Sequence, residues 1–476
     1  MIGLVLSLAL TQPLADAQKL PKDVCYRTRY FRVTSPDEVK GASLLLNTWS
    51  TARRIKTPVF IPGAGLVRFD ALDYVRNEKD LKRFLSAWED FKFDPAFNEL
   101  RIVSEKVIRN SLHDPLLVEL LATEAPVVDF QYANARGTTT IKAQGGNADI
   151  FGGRYYELAD IPDTEVGLYK SVGIDFGDKS VLEYFDELPS ELRTGTLISG
   201  VSGKKRRTDG RPTEAAFSGM IFRTLDVADG KQDGKSDPFE SLLVLRAVAS
   251  EIIYTRPNGL HGFALYDGAG KRQDVAPPDV VKADSYVNRS GQRIPHAAQL
   301  QGSYTCLACH WSNDDSTGLI TLRNDVLEQA KRGLVPTDRR VLDLYQGDPK
   351  VGELFNVFDR ARLDLKQAVL RTTAVDGVPH GWGEDQQKIV RTAGSFIVSS
   401  VHGYFHEPVD VRDALRELGV KPPEALGDAM LLFHKMVPPT LDVGEGLPLS
   451  QLRLGFEVSR FDWSLSRSDA LRRLRK

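Results

Sequence analysis

The chain has 476 residues, of which 42% are hydrophobic and 26% charged, and this balance excludes a disordered, collagen-like or polytopic membrane protein. Its 62 basic and 64 acidic side chains leave a formal net charge of −2, so charge gives no general reason to expect nucleic acid or an anionic membrane as partner. Three cysteines, Cys25, Cys306 and Cys309, exclude a scaffold built on several disulfides.

The N-terminus resembles an export signal. Residues 2–10 form an uncharged, mostly apolar run, and Ala15-Asp16-Ala17 follows it as a small-residue cleavage site. The run is too short to span a bilayer, which takes about 20 apolar residues. No basic residue precedes the run, so a buried N-terminal helix or strand is the alternative. We expect a signal peptide at 1–17 and an exported protein without an integral membrane segment.

Residues 18–285 mix helical and strand patterns, which predicts an α+β domain of unknown role. Apolar residues at helical spacing predict helices, and short β-branched or aromatic runs between turn residues predict strands. The predicted helices cover 42–49, 81–91 and 113–121, and the predicted strands cover 58–62, 66–69 and 127–132. Residues 145–153 are glycine-rich and predict a loop.

The acidic segment 226–237 predicts a surface loop, with a calcium site as the alternative. Asp233, Asp237 and Glu240 fall at ligand positions of an EF-hand loop counted from Asp229. Lys231 occupies a position that needs an oxygen ligand, and its positive charge would repel the ion.

Residues 251–266 predict a β-hairpin. Two alternating apolar runs flank Pro257-Asn258-Gly259, and Asn-Gly supplies the positive φ angles of a tight turn.

The pattern after Cys309 is mostly helical. Helical spacing recurs at 321–332, 351–371, 385–400, 411–418 and 423–434. The fold class predicted for the whole chain is therefore α+β. The N-terminal half, residues 18–285, is expected to be mixed and to contain short strands and a hairpin. A mainly α-helical, haem-bearing half is expected at 286–476.

The sequence Cys306-Leu307-Ala308-Cys309-His310 has the spacing used to attach c-type haem. The two thiols add to two vinyl groups of one rigid porphyrin, and two intervening residues in a helical turn allow both to reach it. The next residue, His310, then becomes the proximal ligand of the iron. We therefore expect one covalent haem c, bound through Cys306 and Cys309.

Three other uses of the cysteine pair remain open at this stage. A thioredoxin-type dithiol opens a helix after a strand, and Tyr304, Thr305 and Trp311 do not resemble that setting. A zinc site would need two scattered ligands, because no second C-x-x-C occurs. A structural disulfide is the third alternative.

The distal iron ligand is less clearly marked. Met430 lies in the segment MLLFHKM at 430–436 and is the distal candidate, although a methionine there also suits core packing. His296, and His402 with His406, are further candidates, and a five-coordinate iron is another option. An axial Met or His favours electron transfer, whereas an open iron favours binding of a small molecule.

These features predict an exported mono-haem c-type cytochrome that transfers single electrons to a redox protein partner. The alternative is a haem enzyme or sensor whose open iron binds peroxide, oxygen or another small ligand. The basic run 204–207 predicts a solvated loop, or a contact for an acidic redox partner. No nucleic-acid partner is expected, and the oligomeric state is not predicted.

The chain resembles a family of large exported proteins with a single C-x-x-C-H, found in planctomycetes and other environmental bacteria. The resemblance lies in 44–73, 126–130, SGVSGKKRR at 199–207, EIIYTRPNGLHGFALYDGAGKRQDVAPPDVV at 251–281, and 405–419. It implies that Cys306 and Cys309 are thioether attachment points and that His310 binds iron. The lead-in GSYT at 302–305 departs from the Gly-Leu-Ser or similar residues expected there.

Overall fold

A computed structural model describes residues 22–62, 65–93, 127–140, 153–172, 182–187, 193–199, 220–227, 247–274, 286–287, 293–294, 303, 306–307, 311, 352–378, 389–406, 408–409, 411–417, 423–436 and 458–459. Several predictions lie outside these residues. They are the signal peptide at 1–17, the helices at 113–121 and 321–332, the loop at 145–152, the basic run at 204–207 and the acidic loop from 228 onward.

The described elements alternate between helices and short strands. In the first part of the chain they are α1 (Lys22–Arg27), β1 (Thr28–Arg32), α2 (Pro36–Trp49), β2 (Val59–Ile61), β3 (Leu66–Asp70), α3 (Glu78–Glu89), β4 (Val127–Asp129), α4 (Phe130–Thr138), α5 (Tyr155–Ala159) and α6 (Glu165–Ser171). They continue with β5 (Leu182–Glu187), β6 (Arg193–Ser199), β7 (Met220–Val227), β8 (Ala247–Thr255), β9 (His261–Asp267), β10 (Tyr286–Val287) and β11 (Arg293–Ile294). The last are α7 (Gly352–Thr373), α8 (Ile389–His406), β12 (Pro408–Val409), α9 (Val411–Glu417), α10 (Leu426–Met436) and β13 (Val458–Ser459).

Helix α2 begins and ends where its sequence dictates. The Ser35 hydroxyl accepts a hydrogen bond from the Glu38 N–H, and Pro36 occupies the first turn, where its missing N–H costs nothing. The helix stops at Ser50, whose backbone is extended. The predicted helix at 42–49 is confirmed as the second half of α2.

The first sheet is small and mixed, in the order β2-β3-β1-β4. Strand β1 runs antiparallel to β3, with Thr28 opposite Asp70, and parallel to β4, with Tyr30 opposite Val127. The strands predicted at 58–62 and 66–69 are confirmed as β2 and β3. Helices and small sheets together confirm the α+β class for the described residues.

The predicted strand at 127–132 is wrong in its second half. The chain leaves the sheet after Asp129 and enters α4 at Phe130. The Asp129 carboxylate accepts the backbone N–H groups of Gln131 and Tyr132, so it caps the helix. An apolar run of this length fits either structure, and the cap decides for the helix.

An aromatic core lies between the first sheet and the helices around it. Phe31 on β1 stacks on Phe69 at 5.4 Å between ring centroids, and its ring lies 5.4 Å from that of Trp88 on α3. Trp49, at the end of α2, donates its indole N–H to the Gly137 carbonyl of α4 at 2.8 Å. Tight aromatic packing of this kind fixes the relative positions of α2, α3 and α4.

The second sheet is an antiparallel meander in the order β5-β6-β7-β8-β9. The predicted hairpin is confirmed: Thr255 pairs with His261, and Ile252 pairs with Ala264. At the turn, Gly259 has a φ of +90°, a conformation that glycine adopts without strain.

Helices of the C-terminal half pack on the N-terminal half. Helix α8 packs against α4 and α2, and α7 packs against α2 and α8. Buried residues from β1, α5, β9 and α8 belong to one continuous hydrophobic cluster. The predicted helices at 351–371 and 385–400 are confirmed as α7 and α8, and those at 411–418 and 423–434 as α9 and α10. The domain boundary near 285 stays a prediction, as does the haem-bearing character of the C-terminal half.

Within the described parts of the chain, every helix is too short or too polar to cross a lipid bilayer.

Two helical glycines give opposite expectations for the change to alanine. A Cβ atom at Gly137 would overlap the Trp49 indole, whereas one at Gly427 would meet nothing within 4 Å. Glycine to alanine in an unstrained helix usually stabilises by about 0.4–1 kcal/mol. We expect Gly427→Ala to follow that rule and Gly137→Ala to destabilise by about 1–3 kcal/mol, as overpacked cores do. Thermal unfolding of both variants checks this, and equal shifts in the same direction would contradict it.

Candidate functional site

The C-x-x-C-H segment contains a helical turn. The Leu307 N–H donates to the Ser303 carbonyl at 2.7 Å, and the Trp311 N–H donates to the Leu307 carbonyl at 2.9 Å. Both bonds join residues four apart, which is the helical pattern. Ser303 has a φ of +65°, so the chain enters this segment through a left-handed residue. Cys309 and His310 themselves lie outside the described residues.

Leu307 and Trp311 anchor this segment in the core. They are four residues apart, so they share one helix face, and both are buried, with Leu307 2% exposed and Trp311 fully covered. The Trp311 ring lies 6.5 Å from the Phe263 ring on β9 and 6.5 Å from the His261 ring. On the α8 side, a Cβ atom added at Gly394 would overlap the Trp311 side chain. The segment is therefore held between the second sheet and α8.

Cys306 belongs to the same hydrophobic cluster as two buried tyrosines of α5. Cys306 is 9% exposed, and the two tyrosines, Tyr155 and Tyr156, are at most 2% exposed. The first candidate attachment residue thus lies in a largely water-excluded, aromatic setting.

The two phenols tie α5 to strand β9. Tyr155 Oη accepts the Phe263 N–H at 3.0 Å, and Tyr156 Oη accepts the Leu265 N–H at 3.2 Å. Burial raises the pKa of both tyrosines, with the Tyr254 phenol adding to the effect at Tyr155. Both phenols therefore stay protonated at neutral pH and bring no charge to the surroundings of Cys306.

His261 is the residue that sequence reasoning did not single out here. It is fully buried at the first position of β9, and its ring meets the Trp311 ring edge to face. Its only signal in the sequence is its place directly after the Asn-Gly turn, inside the 251–281 stretch of the resemblance. No sequence pattern around His261 indicates that it lies near the Cys306–His310 segment.

A buried arginine fixes the base of the same hairpin. Arg256 Nη2 donates to the carbonyls of Ser50 at 2.7 Å and Ala159 at 2.9 Å, and Nη1 donates to the Tyr254 hydroxyl at 3.2 Å. The two carbonyls lie at the C-terminal ends of α2 and α5, where a cation also complements the helix dipole. Arg256 thus links the hairpin to both helices.

The structure does not bring Met430 and Cys306 into one cluster. Met430 is half-buried on α10, and α10 packs on α9. Among the side chains that the structure describes, the hydrophobic cluster that includes Cys306 contains no residue of α9 or α10. Met430 as the distal ligand therefore stays a prediction. His402 and His406 lie on α8, so they are separated by about one helical turn, and His296 lies outside the described residues.

Among the residues that the structure describes, no three histidine, cysteine or acidic side chains lie together as a metal-binding group. The calcium alternative at 226–237 lies mostly outside these residues, because β7 ends at Val227. No protein-family model, no curated protein and no solved structure matches the chain.

Proposed function

We propose that the protein is an exported mono-haem c-type cytochrome that transfers single electrons to a redox protein partner. One observation carries the proposal. The chain contains C-x-x-C-H, and backbone hydrogen bonds from Leu307 to Ser303 and from Trp311 to Leu307 in the described part of the segment are helical. In such a turn, positions i, i+3 and i+4 share one face, and Cys306, Cys309 and His310 have that spacing.

The residues of the segment fit a covalently bound haem. In the proposal Cys306 and Cys309 form the two thioether bonds, and His310 is the proximal ligand. When bound, the haem supplies the one-electron Fe(III)/Fe(II) couple. Leu307 and Trp311 pack into the core, so they hold Cys306 in a fixed position.

The surrounding side chains would exclude water and orient the cofactor. Cys306 belongs to the hydrophobic cluster that also contains Tyr155 and Tyr156, and Trp311 covers the segment from the side of β9 and α8. An apolar, hydrogen-bonded shell of this kind is a main determinant of a reduction potential. The setting also suits a protein that keeps its haem outside the cytoplasm, where the proposed signal at 1–17 would send it.

Covalent attachment is tested by producing the full chain in a host equipped for cytochrome c maturation. We expect the purified protein to gain the mass of one haem and to show haem peroxidase staining on a denaturing gel. The double variant Cys306→Ala/Cys309→Ala should lose both signals completely. The matched control is Cys25→Ala, which removes the third cysteine and should keep both signals.

Two results would contradict the proposal. The first is wild-type protein that is colourless and has only the mass of the polypeptide. The second is haem staining that persists in the double variant.

A further inference from the structure

We propose that Gly394 of α8 is a positioning residue for haem attachment, because it lets the helix approach Trp311 closely and so sets where the C-x-x-C-H segment lies. The inference rests on the proposed function and names a residue that holds its site in place. Glycine weakens the interior of a helix relative to alanine, so its presence at 394 needs a reason. The contact with Trp311, which directly follows His310, supplies that reason.

The contact is too close for a side chain at position 394. A Cβ atom there would lie 2.4 Å from the Trp311 Cβ, 3.1 Å from its carbonyl carbon and 3.3 Å from its Cα. Carbon atoms pack at about 3.5–4.0 Å, so alanine would push the two elements apart by about 1 Å. These Trp311 atoms belong to the backbone or are fixed by it, so a rotation of the indole does not relieve the overlap. The displacement must fall on α8 or on the segment.

Helix α8 is held firmly next to Gly394. The Phe396 ring stacks on the Phe130 ring of α4 at 6.0 Å between centroids. One residue further on, the Ile397 carbonyl accepts a hydrogen bond from the Asn134 side-chain amide of α4 at 3.0 Å. Both contacts would have to break for α8 to retreat. An added Cβ atom should therefore move the C-x-x-C-H segment rather than the helix.

The segment is bounded on its other side and passes a shift along its own turn. The Trp311 ring lies 6.5 Å from the Phe263 ring on β9, and the Phe263 N–H donates to the Tyr155 hydroxyl at 3.0 Å. The Trp311 N–H donates to the Leu307 carbonyl at 2.9 Å, so a displaced Trp311 pulls on Leu307 and on the adjacent Cys306. Gly394 thus determines the position of the turn that carries the first attachment residue.

This position matters for attachment, because both thiols must reach one rigid porphyrin. Each thiol would add across one vinyl C=C bond, with its sulfur going to one carbon and its hydrogen to the other, so the addition needs no oxidant or reductant. Reacting groups have to be held within about 0.5 Å of their productive geometry. A displacement of about 1 Å exceeds that tolerance and can cost a reaction about 10²-fold.

The test compares three glycine-to-alanine variants of the full chain, produced in the host equipped for cytochrome c maturation. For Gly394→Ala we expect the fraction of folded chains with covalent haem to fall about tenfold or more. Gly137→Ala is the matched control, because its Cβ atom also overlaps a tryptophan, but this is Trp49 and not the segment. It should lose stability and keep the wild-type haem content per folded chain. Gly427→Ala should keep both.

Intact-mass spectrometry gives the haem content, and circular dichroism gives the folded fraction. Hydrogen exchange of the wild-type holoprotein adds a measurement that needs no substitution and that decides the question if Gly394→Ala does not fold. We expect the amides of Leu307 and Trp311 to exchange as slowly as those of α8 around Gly394, because segment and helix are packed as one unit.

Three results would overturn the inference. The first is a folded Gly394→Ala with the haem content of the wild type. The second is a Gly137→Ala that loses as much haem per folded chain as Gly394→Ala, which would mean that any overpacked core has this effect. The third is fast exchange at Leu307 and Trp311 beside slow exchange in α8. In all three the wild type carries covalent haem, so the proposed function survives. Wild-type protein without covalent haem would overturn the proposed function together with the inference.

Discussion

Replacing Trp311 with alanine is expected to lower the free energy of unfolding by about 3–5 kcal/mol, as for other fully buried tryptophans. Trp311 packs against the rings of His261 and Phe263 on one side and against Gly394 of α8 on the other. Its loss leaves a cavity between the second sheet and α8, and neither element can easily move to fill it. Trp311→Phe keeps an aromatic ring, so its free energy of unfolding should fall by less than that of Trp311→Ala.

The measurement is urea unfolding of the full chain, followed by circular dichroism rather than by tryptophan fluorescence, because the substitution removes a fluorophore. Leu431→Ala is the control, since Leu431 is 57% exposed on α10 and should change stability by no more than about 0.5 kcal/mol. Equal, small effects of the two substitutions would show that the C-x-x-C-H segment does not pack in the core as described.

Replacing Arg256 with methionine is expected to destabilise the protein by about 3 kcal/mol or more. Methionine fills a similar volume, but it leaves the buried carbonyls of Ser50 and Ala159 and the Tyr254 hydroxyl without the guanidinium donors. Each buried acceptor left unsatisfied costs about 1–3 kcal/mol. The stability of Arg256→Lys should fall between those of the wild type and Arg256→Met, because one ammonium group cannot reproduce the planar fork of an arginine.

Arg371→Met is the matched control. Arg371 is exposed on α7 and its Nε donates within its own helix, to the Gln367 carbonyl, so we expect a change of about 0.5 kcal/mol or less. Thermal unfolding of the three variants and the wild type provides the comparison. An Arg256→Met protein as stable as Arg371→Met would mean that the hairpin is held without the arginine.

Local sequence signals account for much of the secondary structure. Ser35 and Pro36 mark the start of α2, and Asn77 marks the start of α3 by accepting the N–H groups of Lys79 and Asp80. The Pro257-Asn258-Gly259 sequence marks the hairpin, because Gly259 adopts its positive φ of +90° without strain. These signals act over three or four residues, so a single sequence is enough to show them.

The same reasoning failed at 127–132 because two structures competed for one apolar run. Strand and helix both suit the side chains there, and the choice depends on Asp129 turning its carboxylate back to cap α4. Strand β4 also needs β1, about a hundred residues earlier, as its parallel partner. That pairing is not visible locally.

The sequence by itself determined the attachment pattern Cys306–His310, most of the helices and the 251–266 hairpin, because each depends on residues close together in the chain. Only the tertiary structure decided that His261 packs on Trp311, that Tyr155 and Tyr156 share a cluster with Cys306, and that Arg256 joins the hairpin to two helix ends. Helical and strand periodicity identify which face of an element is buried, but the partner of that face depends on how distant elements pack. For that reason residue type was enough to single out Met430, whereas the packing of His261 on Trp311 was visible only in the structure.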